Sequence, residues 1–374
     1  MEPSNKHKLI FVGDVVCEKK PNFSHELQQL FNSAQIKSCN FEAPVKGIGK
    51  PVDKTGPHVA QDQNAPKWIQ ELGFNCFALA NNHIYDYGKD ALIETMAQFP
   101  ESEILGVGNE QQAYALKTRN IDGILYGFLA YGENGYGALN GDRSFGHAWV
   151  NAKRVNQDIK EYKKQVDFLI VQIHAGVELL DVPIPEWKDR YHELIDLGAD
   201  VIIAHHPHVI QGLEEYKGKL IAYSLGNFYF DYPANHPQWN TGGLLELHVE
   251  NKKLMSYKFH LIEKKGRELK LKDEAQAENV ISSLSEKLKG AGYEAYVNSK
   301  AVEDWEKHHA AYHAKPFNGL ADYSFKKLLK HAKRSIFNRG IDYNLIWHNL
   351  FIESNKWLVE RAIRIKTFGK NLPR

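Results

Sequence analysis

The stretch GADVIIAHHPHVIQGLEEYKGKLIAYSLGNFYFD, residues 198–231, decides the fold of this 374-residue chain. It contains two apolar runs of the kind that form buried strands, and polar residues follow each run directly. His205, His206 and His208 stand beside Pro207, which fixes its own φ and restricts the residue before it. Open α/β sheets bind ligands at the carboxyl ends of their strands, and imidazole is the commonest metal ligand. The stretch therefore predicts a metal site rather than a polar loop that contains histidines by coincidence.

The same arrangement, an apolar run followed by polar side chains, occurs four more times nearer the N-terminus. The polar residues concerned are Asp14, the pair Asn40 and Glu42, the group Asn82, His83 and Asp86, and the pair His174 and Glu178. Asn40 and Glu42 are two residues apart, so in an extended segment they point to the same face. We expect the side chains at all five strand ends to converge at one edge of a sheet.

The convergent set contains carboxylates, amides and imidazoles but no thiolate. Structural zinc sites favour cysteine, so the set does not fit one. It fits two divalent ions of the Mn, Fe, Zn or Mg type bridged by a carboxylate. Such pairs, about 3.5–4 Å apart, clamp the attacking and leaving oxygens of a displacement at phosphorus. The sequence thus predicts a metal-dependent hydrolase of the phosphatase or phosphodiesterase type with a dinuclear site.

Strand and helix patterns alternate along the chain, which is the signature of an α/β fold. The predicted helices are residues 65–73, 89–99, 151–165 and 185–197, and the predicted strands include 74–80, 104–107, 121–131 and 166–173. Later strands at 241–249 and 254–262 are expected to be antiparallel. Residues 132–146 form a loop rich in glycine and aromatic residues, a length typical of binding loops.

The composition, with 43% hydrophobic and 25% charged residues, is that of an ordinary globular protein. Residues 251–374 carry 25 Lys and Arg against 14 Asp and Glu, whereas residues 1–250 carry 22 against 32. This asymmetry, with the length, predicts two domains. The three cysteines are odd in number and lie in apolar surroundings, which favours a reducing compartment. With no signal-like or membrane-spanning run, a cytoplasmic location is expected.

Six motifs carry a resemblance to a known family. They are GD (13–14), NFEAP (40–44), ANNHIYDYG (80–88), HAGVE (174–178), AHHPHVIQGLE (204–214) and YSLGNFYFD (223–231). In type and order they resemble the CapA/PgsA family of capsule and poly-γ-glutamate synthesis proteins, a branch of the calcineurin-like metallophosphoesterases. The resemblance implies a four-layer αββα sandwich over residues 1–265, followed by a mostly helical, basic C-terminal extension over residues 266–374. It also implies a role in capsule, exopolysaccharide or poly-γ-glutamate biosynthesis.

The resemblance also implies roles for individual residues. Asp14 and His208 would hold one metal ion, Asn82, His174 and His206 the other, and Glu42 would bridge both; His83 would protonate a leaving group, oriented by Asp86. Substrate contact or support of the site is expected for Asn40, Glu178, His205 and Asn227. For three of these a structural alternative stays open: His205 as a hydrogen-bonded core residue, Glu178 as a turn cap, and Asn227 as a turn residue.

The chain departs from the family pattern at three positions. Ala175 stands where the family has tryptophan, which would open that part of the pocket, and Ala204 replaces a glycine. Val16 occupies the position where the superfamily has a histidine two residues after its first aspartate. The resemblance therefore leaves the ion held by Asp14 with one ligand fewer.

The C-terminal region contains a basic amphipathic helix. Its apolar residues are Phe325, Leu328, Leu329, Ala332, Ile336 and Phe337, and its basic residues are Lys326, Lys327, Lys330, Lys333 and Arg334. Such a helix either lies on an anionic membrane surface or polyanion, or packs its apolar side on its own domain, which is the commoner case. A second helical stretch is predicted over residues 343–366.

Three functions remain open at this point. The first is the phosphoester hydrolase, acting on a phosphorylated or polymeric small molecule or glycan. The second is metal-dependent acid–base chemistry on a peptide, such as epimerisation or amide-bond work, and the third is a non-catalytic capsule-assembly factor. The basic helices are expected to contact the inner face of the membrane or the capsule machinery, and no nucleic-acid partner is expected.

Overall fold

The computed structural model describes residues 6–141, 143–321, 324–337 and 340–369. The strands are β1 (Lys6–Val16), β2 (Asn22–Phe23), β3 (Ile36–Phe41), β4 (Cys76–Ala78), β5 (Ile104–Leu105), β6 (Val107–Gly108), β7 (Lys117–Ile121), β8 (Ile124–Gly132), β9 (Gly146–His147), β10 (Phe168–His174), β11 (Val201–His205), β12 (Leu213–Tyr216), β13 (Lys219–Ala222), β14 (Asn227–Phe230), β15 (Thr241–Glu250), β16 (Lys253–Lys265) and β17 (Glu268–Leu271). The α-helices are α1 (His25–Asn32), α2 (Ala65–Glu71), α3 (Gly88–Ala97), α4 (Glu110–Ala113), α5 (Val155–Lys163), α6 (Pro185–Leu197), α7 (Glu274–Glu286), α8 (Gly290–Asp304), α9 (Ala310–Ala314), α10 (Phe325–Phe337), α11 (Tyr343–Phe351) and α12 (Glu353–Phe368).

The first sheet has the strand order β2–β17–β16–β15–β1–β3–β4–β5, and β14 also pairs with β1. Strand β1 is parallel to β3 and β14 and antiparallel to β15. Its apolar residues alternate between the two faces of the sheet, with Leu9 and Phe11 in one core and Ile10 and Val12 in another. Both faces are thus covered, as the unbroken apolar run of β1 requires.

The second sheet has the order β12–β13–β11–β10–β8–β7, with β8, β10, β11 and β13 parallel. Its residues Tyr126, Ile170 and Ile203 belong to the same core as Leu9 and Phe11 of the first sheet. The two sheets therefore pack face to face.

Helices cover the outer faces of both sheets. Leu27 and Phe31 of α1, Ile69 of α2 and Leu92 of α3 join the core on the outer side of the first sheet. Helices α5 and α6 pack on β10 and β11 of the second, and α6 buries Trp187 completely. The four-layer αββα sandwich implied by the resemblance is confirmed, as are the antiparallel strands β15 and β16.

Two predicted elements were wrong in extent. The strand predicted over 121–131 is β8 from Ile124 onward, whereas Ile121 is the last residue of β7. Asp122 and Gly123 take φ of 45° and 86° and form a tight Asp-Gly turn between the two strands. The single helix predicted over 343–366 is divided into α11 and α12 by Ile352, whose φ of −71° and ψ of 113° are extended.

The chain divides into two compact units. One runs to Val52 and continues from His58 to Lys289, and the other consists of Asp53–Pro57 and the chain from Gly290 onward. Helix α7 belongs to the first unit and packs on β16. The domain boundary proposed at residues 265–266 stays a prediction.

The second unit is helical in its described part. Helix α12 packs on α8, where the Arg361 guanidinium donates to Asn298 Oδ1 at 3.0 Å. Helix α10 differs, because Phe325 and Leu329 are 78% and 58% exposed. The expected packing of its apolar side on its own domain is therefore wrong for these residues. The side chains of Arg334, Ile336 and Phe337 lie outside the described part of the chain. None of the described helices combines the length and apolar content needed to cross a membrane.

Candidate metal centre

Asp14 lies where three strands of the first sheet meet. It is opposite Asn40 of β3 and Asn227 of β14, and its side chain is completely buried. The amide of Asn40 donates to Asp14 Oδ1 at 2.8 Å, and the Asp14 backbone N–H donates to Gly226 O at 2.9 Å. A Cβ on Gly13 would stand 1.7 Å from that same carbonyl oxygen. Glycine is thus required at position 13, because the chain just before β14 passes too close to leave room for a side chain.

Glu42 directly follows β3 and is one of two buried carboxylates at this edge of the sheet. The side chain is completely buried, and neither oxygen accepts a hydrogen bond from a described residue. Burial, with the neighbouring Asp14, raises the pKa of Glu42 well above its usual value. Oε1 is 3.6 Å from His174 Nε2 and 3.8 Å from His208 Nε2. A buried, unpaired carboxylate between two imidazoles is a position that a cation would stabilise.

Three further electron-pair donors face one another beside Glu42. His174 Nε2 is 2.9 Å from Asn82 Oδ1 and 3.0 Å from His206 Nδ1. Burial and the neighbouring His206 lower the pKa of His174 well below its usual value, and burial lowers that of His206 to about 4. Both rings are therefore neutral near pH 7, the form in which imidazole binds a metal. Ligand atoms of Asp14, Glu42 and His174 all lie within 4.8 Å of one another.

The loop that carries His206 and His208 has an unusual backbone. Their φ angles are 98° and 58°, in the left-handed region that non-glycine residues rarely adopt. Pro207 between them packs against Gly176, where a Cβ would stand 2.9 Å from the proline ring. Backbone strain of this kind is found where a fold holds functional side chains in place.

His208 balances the two buried carboxylates. Its Nδ1 lies 3.3 Å from Asp14 Oδ2 and 2.9 Å from Asn227 Oδ1. Burial would lower the pKa of His208, but the carboxylates of Glu42 and Asp14 outweigh it and raise the pKa to about 10. Burial would raise the pKa of Asp14, but the hydrogen bond and the charge of His208 outweigh burial and keep that pKa below its usual value. In the absence of a cation, the two carboxylates thus favour the protonated form of His208.

His83 and Asp86 form a hydrogen-bonded pair at the rim. His83 Nδ1 is 2.7 Å from Asp86 Oδ2, which also accepts the backbone N–H of Val59 at 2.8 Å. Asp86 is completely buried, and His83 is 8% exposed.

The four residues predicted to support the site occupy different positions. Asn40 contacts both Asp14 and His174, whose Nδ1 lies 3.0 Å from its amide nitrogen. Asn227 holds His208 and donates to the Trp239 carbonyl at 3.1 Å. Their contacts with the candidate ligands are direct.

His205 is buried, and its Nδ1 lies 3.9 Å from Asp14 Oδ1. Neither ring nitrogen of His205 has a hydrogen-bond partner among the described residues. Burial lowers the pKa of His205 to about 4. Glu178 is exposed, and its charge acts on Glu42 and His206. Glu178 therefore stands at the open side of the cluster, whereas His205 lies beneath it.

Val16 gives one side of the site an apolar wall. It clusters with Ala43, Val59, Phe230 and Trp239. The rings of Phe230 and Trp239 are 4.9 and 5.0 Å from the His208 ring. On this side the chain offers hydrocarbon where the superfamily pattern has an imidazole.

Sequence reasoning missed Glu133, which directly follows β8. Its backbone N–H donates to the His174 carbonyl at 3.0 Å, and its Oε1 is 3.5 Å from His206 Nε2. The side chain is only 4% exposed. The signal was present, because Glu133 is a polar residue at the carboxyl end of a strand, but it is also the second residue of a loop without further pattern.

The layered fold places buried carboxylates and imidazoles at the carboxyl ends of its parallel strands, which is where α/β sheets bind their ligands. A family model described as "Bacterial capsule synthesis protein PGA_cap" matches residues 8–232, and the chain belongs to that family. The resemblance inferred from the motifs is thereby confirmed.

Named relatives agree with this assignment. The chain is 32% identical over 221 residues to the capsule biosynthesis protein CapA of Bacillus anthracis, covering 56% of this chain and 53% of the relative. It is 29% identical over 238 residues to the PGA biosynthesis protein CapA of Bacillus subtilis (strain 168), covering 59% and 62%. The matches thus span little more than half the length of these relatives. Among solved structures, the Haemophilus influenzae NAD nucleotidase (NadN) is 12% identical with a TM-score of 0.43, covering 75% of this chain and 56% of that one.

Proposed function

We propose that the chain is a metal-dependent phosphoester hydrolase with a dinuclear site. The observation that carries the proposal is the Glu42 carboxylate, completely buried and without a hydrogen bond between the imidazoles of His174 and His208. Burial raises the pKa of this carboxylate well above its usual value, so a cation placed between the two imidazoles would stabilise its charged form. Carboxylate, amide and imidazole donors fit Mn, Fe, Zn or Mg ions.

The distances support a division of the donors into two sets. Asp14 and His208 would hold one ion, Asn82, His174 and His206 the other, and Glu42 would bridge them, because its Oε1 faces both imidazoles. When bound, such ions polarise a phosphoryl oxygen and neutralise charge in the transition state. Asn40 and Asn227 orient the ligands through their amides. The apolar wall at Val16 keeps water from one side of Asp14 and His208.

His83 is the proposed general acid. Asp86 Oδ2 accepts a hydrogen bond from His83 Nδ1–H and fixes the ring orientation. In the protonated ring, which Asp86 stabilises, Nε2–H is then free to donate its proton to the leaving-group oxygen, and the ring becomes neutral. Asp86 is held in turn by the Val59 N–H. This buried support gives the imidazole a single orientation and a single tautomer when neutral.

The biological process follows from the relatives, which are named for capsule and PGA biosynthesis. We infer that the substrate is a phosphorylated small molecule, or a polymer or glycan precursor, of such a pathway. The three cysteines are free and buried, which supports work in the reducing cytoplasm.

The test is a screen of the purified chain, depleted of metal and then loaded with Mn, Fe, Zn or Mg, against aryl phosphates and aryl phosphodiesters. Metal-dependent turnover is expected, with two ions bound per chain by elemental analysis. Asp14→Asn should abolish turnover, whereas Glu246→Gln, a change at another buried carboxylate, should not. Two bound ions without turnover of any phosphoester would contradict the hydrolase and favour acid–base chemistry on a peptide or a role in assembly.

A further inference from the structure

The apolar residues of helix α10 whose side chains are described are all exposed. Phe325, Leu328 and Leu329 are 78%, 41% and 58% exposed, and Ala332 is exposed as well. Their i, i+3, i+4 and i+7 spacing places them on one side of the helix. Contiguous exposed apolar surface of this kind marks a site of interaction with a partner or a membrane.

Apart from His331, the remaining described side chains of the helix are lysines. Lys326, Lys327, Lys330 and Lys333 are all exposed, and none forms an ion pair with a described carboxylate. The sequence of α10, FKKLLKHAKRSIF, contains no Asp or Glu. Four free ammonium groups beside an apolar strip therefore require a partner that is both anionic and apolar.

We propose that α10 lies in the headgroup region of a membrane that contains anionic lipid. The strip from Phe325 to Ala332 enters the boundary with the acyl chains, and the lysines contact lipid phosphates and carboxylates. A soluble polyanion would pair with the lysines but leave the apolar strip in water. A second copy of α10 would cover the strip but bring two basic helices together without a carboxylate. An anionic bilayer satisfies both sides at once.

The first experiment measures co-sedimentation of the full chain with vesicles of phosphatidylcholine alone or with about 30% phosphatidylserine. Binding to the anionic vesicles should exceed binding to the neutral ones by about 100-fold. Replacing three lysines (Lys326→Gln, Lys327→Gln and Lys330→Gln) should remove about 100-fold of this affinity, because each lysine near the surface contributes about fivefold. Glutamine keeps the helix propensity close to that of lysine.

A matched control removes the same charge elsewhere. Lys50, Lys153 and Lys160 are exposed and form no ion pair with a described carboxylate. Their combined replacement by glutamine should change vesicle binding only a few-fold, through net charge alone. An equal loss in both triple variants would overturn the proposal, as would equal binding to neutral and anionic vesicles.

The second experiment tests whether the apolar strip enters the bilayer. The native cysteines are all buried, so a thiol-reactive, environment-sensitive dye reports an introduced cysteine. A label at Leu329→Cys should shift to the blue with anionic vesicles, and one at Lys327→Cys, on the opposite side of the helix, should not. The proposal is refuted if neither label shifts, if poly-glutamate binds more tightly than vesicles, or if the vesicle-free chain forms a dimer that Leu329→Gln disrupts. None of these readouts depends on hydrolase activity.

Discussion

The variant Glu42→Gln tests whether Glu42 binds a metal ion or is only a buried carboxylate. The change keeps the shape of the side chain but removes its charge. Neither oxygen of Glu42 has a hydrogen-bond partner among the described residues, and burial already favours the uncharged acid. The metal-free variant should therefore match the stability of the metal-free parent to within about 1 kcal/mol. With metal, the parent should be the more stable of the two, because only the parent retains the bridging carboxylate.

The size of the metal effect follows from linkage. An ion present at about 100 times its Kd raises the free energy of unfolding by about 2.7 kcal/mol. The first unit has roughly 280 residues, and an unfolding entropy of about 2 cal/mol/K per residue gives about 0.6 kcal/mol/K. The parent should therefore gain about 4–5 °C in Tm on addition of Mn, and Glu42→Gln should gain about 1 °C or less. Thermal melts with and without chelator measure both quantities.

Glu246 provides the control. It is also buried, but Lys8 Nζ and His260 Nε2 each lie 2.7 Å from one of its oxygens. Burial alone would raise the pKa of Glu246, but the hydrogen bond from His260 and the charge of Lys8 hold it at about 2. Glu246→Gln should lower the Tm equally with and without metal. If Glu42→Gln destabilises the metal-free chain as Glu246→Gln does, or keeps the full response to metal, the assignment of Glu42 is wrong.

Three further predictions follow from the same contacts. Glu133→Gln should weaken metal binding about 10- to 100-fold in a competition assay with a chromogenic chelator, because the carboxylate that orients His206 is lost; unchanged affinity would contradict this. His83→Asn should lower kcat about 10²- to 10⁴-fold with little change in KM, and Asp86→Asn should lower it less, whereas a pure KM effect would exclude proton transfer. Since the folded-state pKa of Glu246 lies below its unfolded value, its contribution of about 2–3 kcal/mol is complete above about pH 4.5 and lost as the pH falls towards 2. Urea titrations should therefore show the stability difference between the parent and Glu246→Gln shrinking across that interval, and a constant difference would refute the pairing.

The sequence patterns predicted an α/β fold because most of the strands are unbroken apolar runs and the longer helices have clear ends, and the family resemblance supplied the four-layer arrangement. Helix α6, for example, begins at Pro185 and ends before Gly198, whose φ is 127°. Prediction from the sequence failed where tertiary contacts decide the structure. The two-residue strands β2 and β5 are too short to carry a period, and the hairpin at Asp122 interrupts a run that still reads as apolar.

The candidate site was predictable to a similar degree. Residues such as Asp14 and His174 could be singled out because each is a polar side chain at the end of an apolar run, and the structure brings them within 3.8 Å. The sequence could not reveal the role of Glu133, because its contact with His206 depends on β8 and β10 being neighbours. Nor could it reveal that Leu329 is exposed, since an amphipathic pattern looks the same whether its apolar side is covered or open.

The meeting of three strands at Asp14 has a consequence for the synthesis of the chain on the ribosome. Asp14 contacts His208 and lies opposite Asn227 of β14. The cluster therefore combines segments of the chain that the ribosome makes far apart in time. At roughly 5–20 residues per second, a ribosome reaches His208 about 10–40 s after Asp14. During that interval the nascent chain holds Asp14 and Glu42 without the imidazole that balances them. The proposed metal site is therefore complete only after residues as late as His208 have been made, and a chain truncated before β11 would lack both His206 and His208.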